Sequence, residues 1–261
     1  MRSAFIAFVT MLALWSGDVM AQQKSRLAKV LESGVIRVGT TGDFFPMSFK
    51  DPGSNTYKGH QIDAAEKFAA DSGLKVEYVL TEWRTLINGL VADKYDIVMT
   101  GTSMSMGRAK TATFSDVWGV TGFMPLVQKK NAARFKTWDD LNKPDVTIGV
   151  NLGTTFVPFI QSQLPNAKLR QVDSPARDWQ ELLAGRVDVT ITSILEGAGL
   201  TQRHQDLQLL FSDQIRNTLP MAFLVPSDDQ QWINYVNAWV AMSKANGFFK
   251  EINTKWAIPG Q

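Results

Sequence analysis

Two residues in this chain have surroundings suited to handling a small acid. The first is Arg108, in TGTSMSMGRAKTATFS at 100–115. A strand running into Gly101, Thr102 and Ser103 sets hydroxyls and backbone amides at its carboxyl end, and a short helix after it turns Arg108 toward the same crevice. A guanidinium is a planar fork that grips a carboxylate at two points, which a lysine cannot do. The plain alternative is a solvated surface arginine, and the Gly, Thr and Ser residues around Arg108 argue against it. The second is Glu196, in VDVTITSILEGAG at 187–199, a single carboxylate three residues beyond Ser193, where an apolar run ends. It can hold a ligand or deliver a proton. As an early-helix carboxylate it can also do no more than complement the helix dipole, worth ~0.3–1 kcal/mol.

Short β-rich runs alternate with helix-like segments and must position both residues. VIRVGTT (35–41), KVEYVLT (75–81), YDIVMTG (95–101), VTIGVN (146–151), LRQVD (169–173), VDVTITS (187–193) and MAFLVP (221–226) read as strands. QIDAAEKFAADSG, EWRTLINGLVADK, TTFVPFIQSQL and PARDWQELLAGR carry apolar residues at helical spacing between them. DQQWINYVNAWVAMSKANGFFKEINTKW closes the chain as one or two helices, with Trp232, Tyr235 and Trp239 spaced for packing. This alternation predicts an α/β fold of mainly parallel sheets, with ligand sites at the carboxyl ends of strands. LVADKYDIVMTG (90–101) and LLAGRVDVTITS (182–193) resemble each other and set Asp96 and Asp188 in matching places. Their separation suits two similar lobes better than a solenoid. The extended stretches 121–130 and 218–228 then form the hinge crossings, with residues 26–122 plus 224–261 in one lobe and 127–219 in the other.

The remaining features narrow the chemistry. Residues 1–21 read as an export signal, with Arg2, an apolar run over 5–15 and small residues before a cut after Ala21. About 240 residues remain, enough for two modest cores. Cysteine is absent, which removes disulfide and thiol chemistry and suits an exported periplasmic chain. A net charge of +2 is too small to argue for nucleic acid or an anionic membrane. His60 and His204 are the only histidines and lack metal-ligand spacing, and no nucleotide motif is present, so no metal or cofactor is expected.

GVIRVGTTGDFFPMSF, the YKG-x-x-x-D stretch at 57–63, YDIVMTGTSMSMGRAKTATFS and GVNLGTTF, in that order, resemble the type 3 periplasmic solute-binding proteins, the polar amino-acid binding group of ABC transporters. The resemblance spans 26–256 and implies two α/β lobes closing on a ligand, with Arg108 clamping its α-carboxylate. Within the group the chain is most similar to the cyclohexadienyl dehydratases, enzymes built on the same fold. In the amino-acid binders an aspartate at the end of the second-lobe strand pairs with the ligand's α-ammonium, and here Ser193 stands there. Either Glu196 replaces that charge or the ligand has no amine. The dehydratase resemblance implies that Glu196 protonates the leaving hydroxyl of prephenate or arogenate, with Asp43, Trp83 and Asn151 matching positions around the site. Phe44 and Trp83 would wall such an acid, and the helix start at Gly153-Thr154-Thr155 would help to hold carboxylates.

Each residue also has a plainer role open to it. Trp83 can be core at the head of a helix with Leu86, Ile87 and Leu90, Asn151 can terminate a strand, Thr154 can cap the helix after it, and Asp43 can close a turn. The expectation is a periplasmic two-lobe binding protein that takes a small carboxylate to an ABC permease, lined by Asp43, Phe44, Trp83, Thr102, Ser103, Arg108, Asn151, Thr154, Thr155, Ser193 and Glu196. A dehydratase using Glu196 as general acid is the alternative.

Overall fold

A computed structural model describes residues 24–259, so the export-signal reading lies outside the described residues. Two sheets organise the chain. The first has the strand order Lys75–Leu80, Val35–Thr40, Ile97–Val98, Leu224–Pro226, Ala112–Phe114. Its first three strands are parallel, and Leu224–Pro226 runs antiparallel to both neighbours. The second has the order Lys168–Val172, Thr147–Asn151, Val189–Ser193, Gly119–Gln128, Leu207–Leu209, with Arg216–Met221 also paired to Gly119–Gln128. Here too three parallel strands are followed by an antiparallel one. The α/β expectation holds, and the sheets are mixed, because Leu224–Pro226 in the first and Gly119–Gln128 in the second each run against the neighbours they pair with.

Helices cover both sheets, which is why strands such as Val189–Ser193 are buried along their whole length instead of alternating. Against the first sheet, the helix Gln230–Ala245 buries Trp232, Val236, Trp239 and Val240. Phe68 meets Trp232, Tyr235 and Trp239 edge-on at centroid separations of 5.9, 5.9 and 5.2 Å, so that aromatic spacing serves packing. His60 is likewise structural: it is buried, bonds Asn253 through Nε2 at 2.7 Å, and burial lowers its pKa to about 4. The second core gathers Phe123, Trp138, Ile148, Val150 and Phe159.

The internal resemblance around Asp96 and Asp188 is carried by equivalent hydrogen bonds. Asp96 accepts the backbone N–H of Arg37 at 2.8 Å and returns its own N–H to the Arg37 carbonyl. Asp188 does the same with Thr147, also at 2.8 Å. Each aspartate also takes an arginine, Arg37 in the first case and Arg134 in the second.

Three segments differ from the sequence reading. Only Ile97–Val98 of YDIVMTG enters the ladder, and the helix expected over EWRTLINGLVADK is confined to Leu86–Val91 because 83–85 form a turn. MAFLVP is divided between two strands, since Ala222 and Phe223 leave the ladder to donate their N–H groups to the Thr102 carbonyl and the Ser115 hydroxyl.

Candidate ligand-binding site

The carboxyl ends of the parallel strands of both sheets face one another across a narrow cavity. Its wall contains four aromatic rings: Phe44 and Trp83 from the first sheet's side, Phe123 and Phe156 from the second's. Each pair is edge-to-face, at 5.8 Å for Phe44–Trp83 and 4.6 Å for Phe123–Phe156. Between these apolar surfaces stand Ser103, Arg108, Thr121, Thr154, Thr155, Arg177, Ser193 and Glu196.

Arg108 sits in the one-turn helix Met106–Ala109, whose N-cap Ser105 accepts the Arg108 backbone N–H. The guanidinium donates to the Ser103 carbonyl at 2.8 Å and across the cleft to the Gly153 carbonyl at 3.1 Å. No carboxylate pairs with it among the described residues. Burial alone pushes its pKa down to about 10, which is still fully charged at neutral pH. A desolvated guanidinium with spare N–H donors and no counter-ion is an energetic liability that a carboxylate in the cavity would relieve.

Arg177 is the opposite case. It precedes the helix Asp178–Leu183, and its side chain is held by Asn151, whose Oδ1 accepts from Arg177 Nε and from the Asp178 backbone N–H, both at 3.1 Å. Its Nη2 meets Glu196 Oε1 at 2.6 Å, and its Nη1 crosses the cleft to the Asp43 carbonyl at 2.7 Å and to Asp43 Oδ2 at 2.8 Å. The other oxygen of Glu196 accepts from Thr192 Oγ1 at 3.1 Å. One guanidinium therefore serves Asp43 and the two buried carboxylates Asp178 and Glu196. Desolvation raises Glu196 to about 7 and Asp178 to about 6; Arg177 opposes this, and the neighbouring carboxylates reinforce it. The cluster thus holds on to a proton near neutral pH, shared rather than owned by one residue.

Of the residues singled out in the sequence, Phe44, Trp83, Ser103, Arg108, Thr154, Thr155, Ser193 and Glu196 line the cavity. Trp83 lies in the turn ahead of its helix, and its indole N–H donates to Asp43 Oδ1 at 3.1 Å. Ser193 is the N-cap of the helix Ile194–Arg203, accepting the Glu196 backbone N–H at 3.0 Å. Thr154 donates to the Asn151 carbonyl at 2.7 Å, and Thr155 meets Ser103 across the cleft at 3.1 Å. Gly153 offers Arg108 its carbonyl from the head of this segment. Thr102 and Asn151 stand behind the wall: the Thr102 hydroxyl is buried without a partner, and Asn151 positions Arg177. Asp43 reaches the site through Arg177.

Sequence reasoning missed Arg177, Thr121, Phe123 and Phe156. Arg177 had one readable signal, a base just before a helix that follows a strand's carboxyl end. Thr121 has a buried hydroxyl with no partner and faces the cavity, an acceptor and donor in place for a ligand.

Gly153 marks how tightly the two sides meet. Its φ is +80°, and a Cβ there would come within 2.4 Å of the Trp83 and Arg84 backbone. Gly153→Ala is expected to prevent full closure, weakening ligand binding by about tenfold or more while costing only ~1 kcal/mol of stability. Calorimetric titration beside a denaturant melt checks both numbers.

The model of the bacterial extracellular solute-binding proteins, family 3, matches residues 36–259. Over 245 residues, 94% of this chain and 91% of the relative, the chain is 30% identical to a cyclohexadienyl dehydratase of Pseudomonas aeruginosa. It is 26% identical to an L-cystine-binding protein of Escherichia coli over 88% of this chain and 85% of that one. Among solved structures, an ancestral amino acid-binding protein described as a precursor of cyclohexadienyl dehydratase superposes with a TM-score of 0.83 at 35% identity, covering 89% of this chain and 99% of that one. A putative binding component of an ABC transporter from Wolinella succinogenes, complexed with lysine, gives 0.80 at 28% identity, covering 87% and 97%.

Proposed function

Because the chain belongs to family 3 of the bacterial extracellular solute-binding proteins, we propose that its cavity captures an amino acid and hands it unchanged to an ABC importer. The observation that carries this reading is Arg108, a buried guanidinium that pairs only with backbone carbonyls at the cavity wall. A ligand α-carboxylate supplies its missing counter-ion, with Thr121 able to donate or accept beside it. The α-ammonium is drawn to the carboxylate cluster around Glu196 and Asp43, where negative groups outnumber Arg177. Ser193 then needs no charge of its own, and the aromatic rings take the ligand's side chain.

In this reading the pieces 26–122 plus 224–261 and 127–219 act as lobes. They turn about the paired crossing strands Gly119–Gln128 and Arg216–Met221, where Met221 lies opposite Gly119. Arg108 to Gly153, Ser103 to Thr155 and Arg177 to Asp43 are the polar contacts made on closing.

A dehydratase is the second reading, favoured by the carboxyl of Glu196 being raised to about 7. It fits the local geometry less well. Both Glu196 oxygens already have hydrogen-bond partners within the protein, one the Arg177 guanidinium at 2.6 Å and the other Thr192 Oγ1 at 3.1 Å, rather than an orientation toward a substrate hydroxyl.

Proton linkage tests the amino-acid reading. The free cluster keeps a proton below about pH 7, and an arriving ammonium displaces it. Affinity should therefore rise as pH climbs from about 5 to about 7 and level off above, with up to about one proton released per ligand. Titrations in buffers of different ionisation enthalpy measure that proton directly. Affinity that falls over this range would refute the assignment of the cluster to an ammonium. Thermal shift against the common amino acids identifies which ones bind.

A further inference from the structure

We propose that Arg177 is a built-in cation that sets ligand selectivity: it fills the place a cationic side chain would take and restricts the cavity to amino acids whose only cation is the α-ammonium. The inference rests on the amino-acid reading and deepens it. Arg177 lines the cavity, is buried, and spends its fork on Glu196 in the cavity wall, at 2.6 Å, and on Asp43 behind it, at 2.8 Å. The guanidinium already occupies Glu196 Oε1 and Asp43 Oδ2, and it stands at the cavity wall as a fixed positive charge. Lysine or arginine would bring a second cation against that charge, the arrangement that binding sites use to reject a competitor.

Arg177 is built to stay in this position. Asn151 fixes its Nε, the Asp43 carbonyl takes a further bond, and its own backbone N–H is held by the Gln180 side chain at 3.1 Å. Space for a longer side chain lies just beyond it. Glu196 lines both the central cavity and an outer pocket walled by Phe45, Phe49, Trp179 and Arg203. Removing the guanidinium would free two carboxylates and open the way toward that pocket.

The experiment is calorimetric titration of the parent chain and of Arg177→Ala with the common neutral amino acids, lysine and arginine. The parent should bind a neutral amino acid and discriminate against lysine and arginine by at least about a hundredfold. Arg177→Ala should lose most of that discrimination, with affinity for lysine or arginine rising by at least about tenfold. If Arg177→Ala does not fold, Arg177→Lys keeps the charge and should keep the discrimination; its loss in a folded lysine variant would overturn the proposal. A parent that binds no amino acid would defeat the functional reading itself. A parent that binds a neutral amino acid, with Arg177→Ala equally selective, would defeat only the role given to Arg177. A parent that prefers lysine or arginine would also overturn that role and leave amino-acid capture standing.

Discussion

Arg108→Met is expected to lower amino-acid affinity by about two to three orders of magnitude, ~3–4 kcal/mol, while leaving the ligand-free chain within about 1 kcal/mol of its original stability. The asymmetry follows from the burial of Arg108 without a carboxylate partner. In the free chain, its loss removes two bonds to carbonyls but also a desolvated charge. In the complex, it leaves the ligand's carboxylate buried and unpaired. Titration and urea melts on the same preparations separate the two quantities. An arginine that mattered only for folding would show the reverse pattern, stability lost and affinity kept.

Arg108 was legible because its neighbours announce it: Gly101, Ser103 and Ser105 put small and hydroxyl-bearing residues directly after an apolar strand. Glu196 was legible for the same reason, at the end of the strand Val189–Ser193. Its partner was not. Arg177 sits in a segment whose periodicity says only that a helix follows, and its value depends on Asn151 and Asp43, 26 and 134 positions away. Local spacing carries no information about a side chain that crosses between two sheets. Thr121 and Phe123 escaped similarly, since an extended crossing strand reads as connection rather than wall. The α/β class was readable from alternation, whereas the mixed direction of the strands depends on where the chain crosses and returns.

The second large effect concerns stability. Asp96→Ala should destabilise the fold by ~3–5 kcal/mol. Asp96 is 3% exposed, and its carboxylate accepts the Arg37 backbone N–H and pairs with Arg26 at 2.9 Å and Arg37 at 2.7 Å. Its loss leaves two arginines and a strand N–H with a shared partner missing, beside Trp232, whose indole donates to the Asp96 carbonyl at 3.0 Å. Asp188→Ala removes the matching bond to Thr147, but there the carboxylate and its single arginine are part-exposed, so about 1–2 kcal/mol is expected. Urea melts of the two variants side by side check the ranking. Equal losses would mean that burial and the second arginine contribute nothing at Asp96.

The pH dependence, the closure variant at Gly153 and the selectivity of Arg177 all presuppose that the cavity takes an amino acid and returns it unaltered. The most direct test mixes the purified chain with an equimolar set of the common amino acids and prephenate, then identifies by mass spectrometry what is retained and what remains in solution. One amino acid should be retained at up to one per chain and be recoverable intact, with prephenate consumed no faster than without protein. Prephenate converted to phenylpyruvate with no amino acid retained, and that conversion lost in Glu196→Gln, would contradict this reading and make the chain a dehydratase.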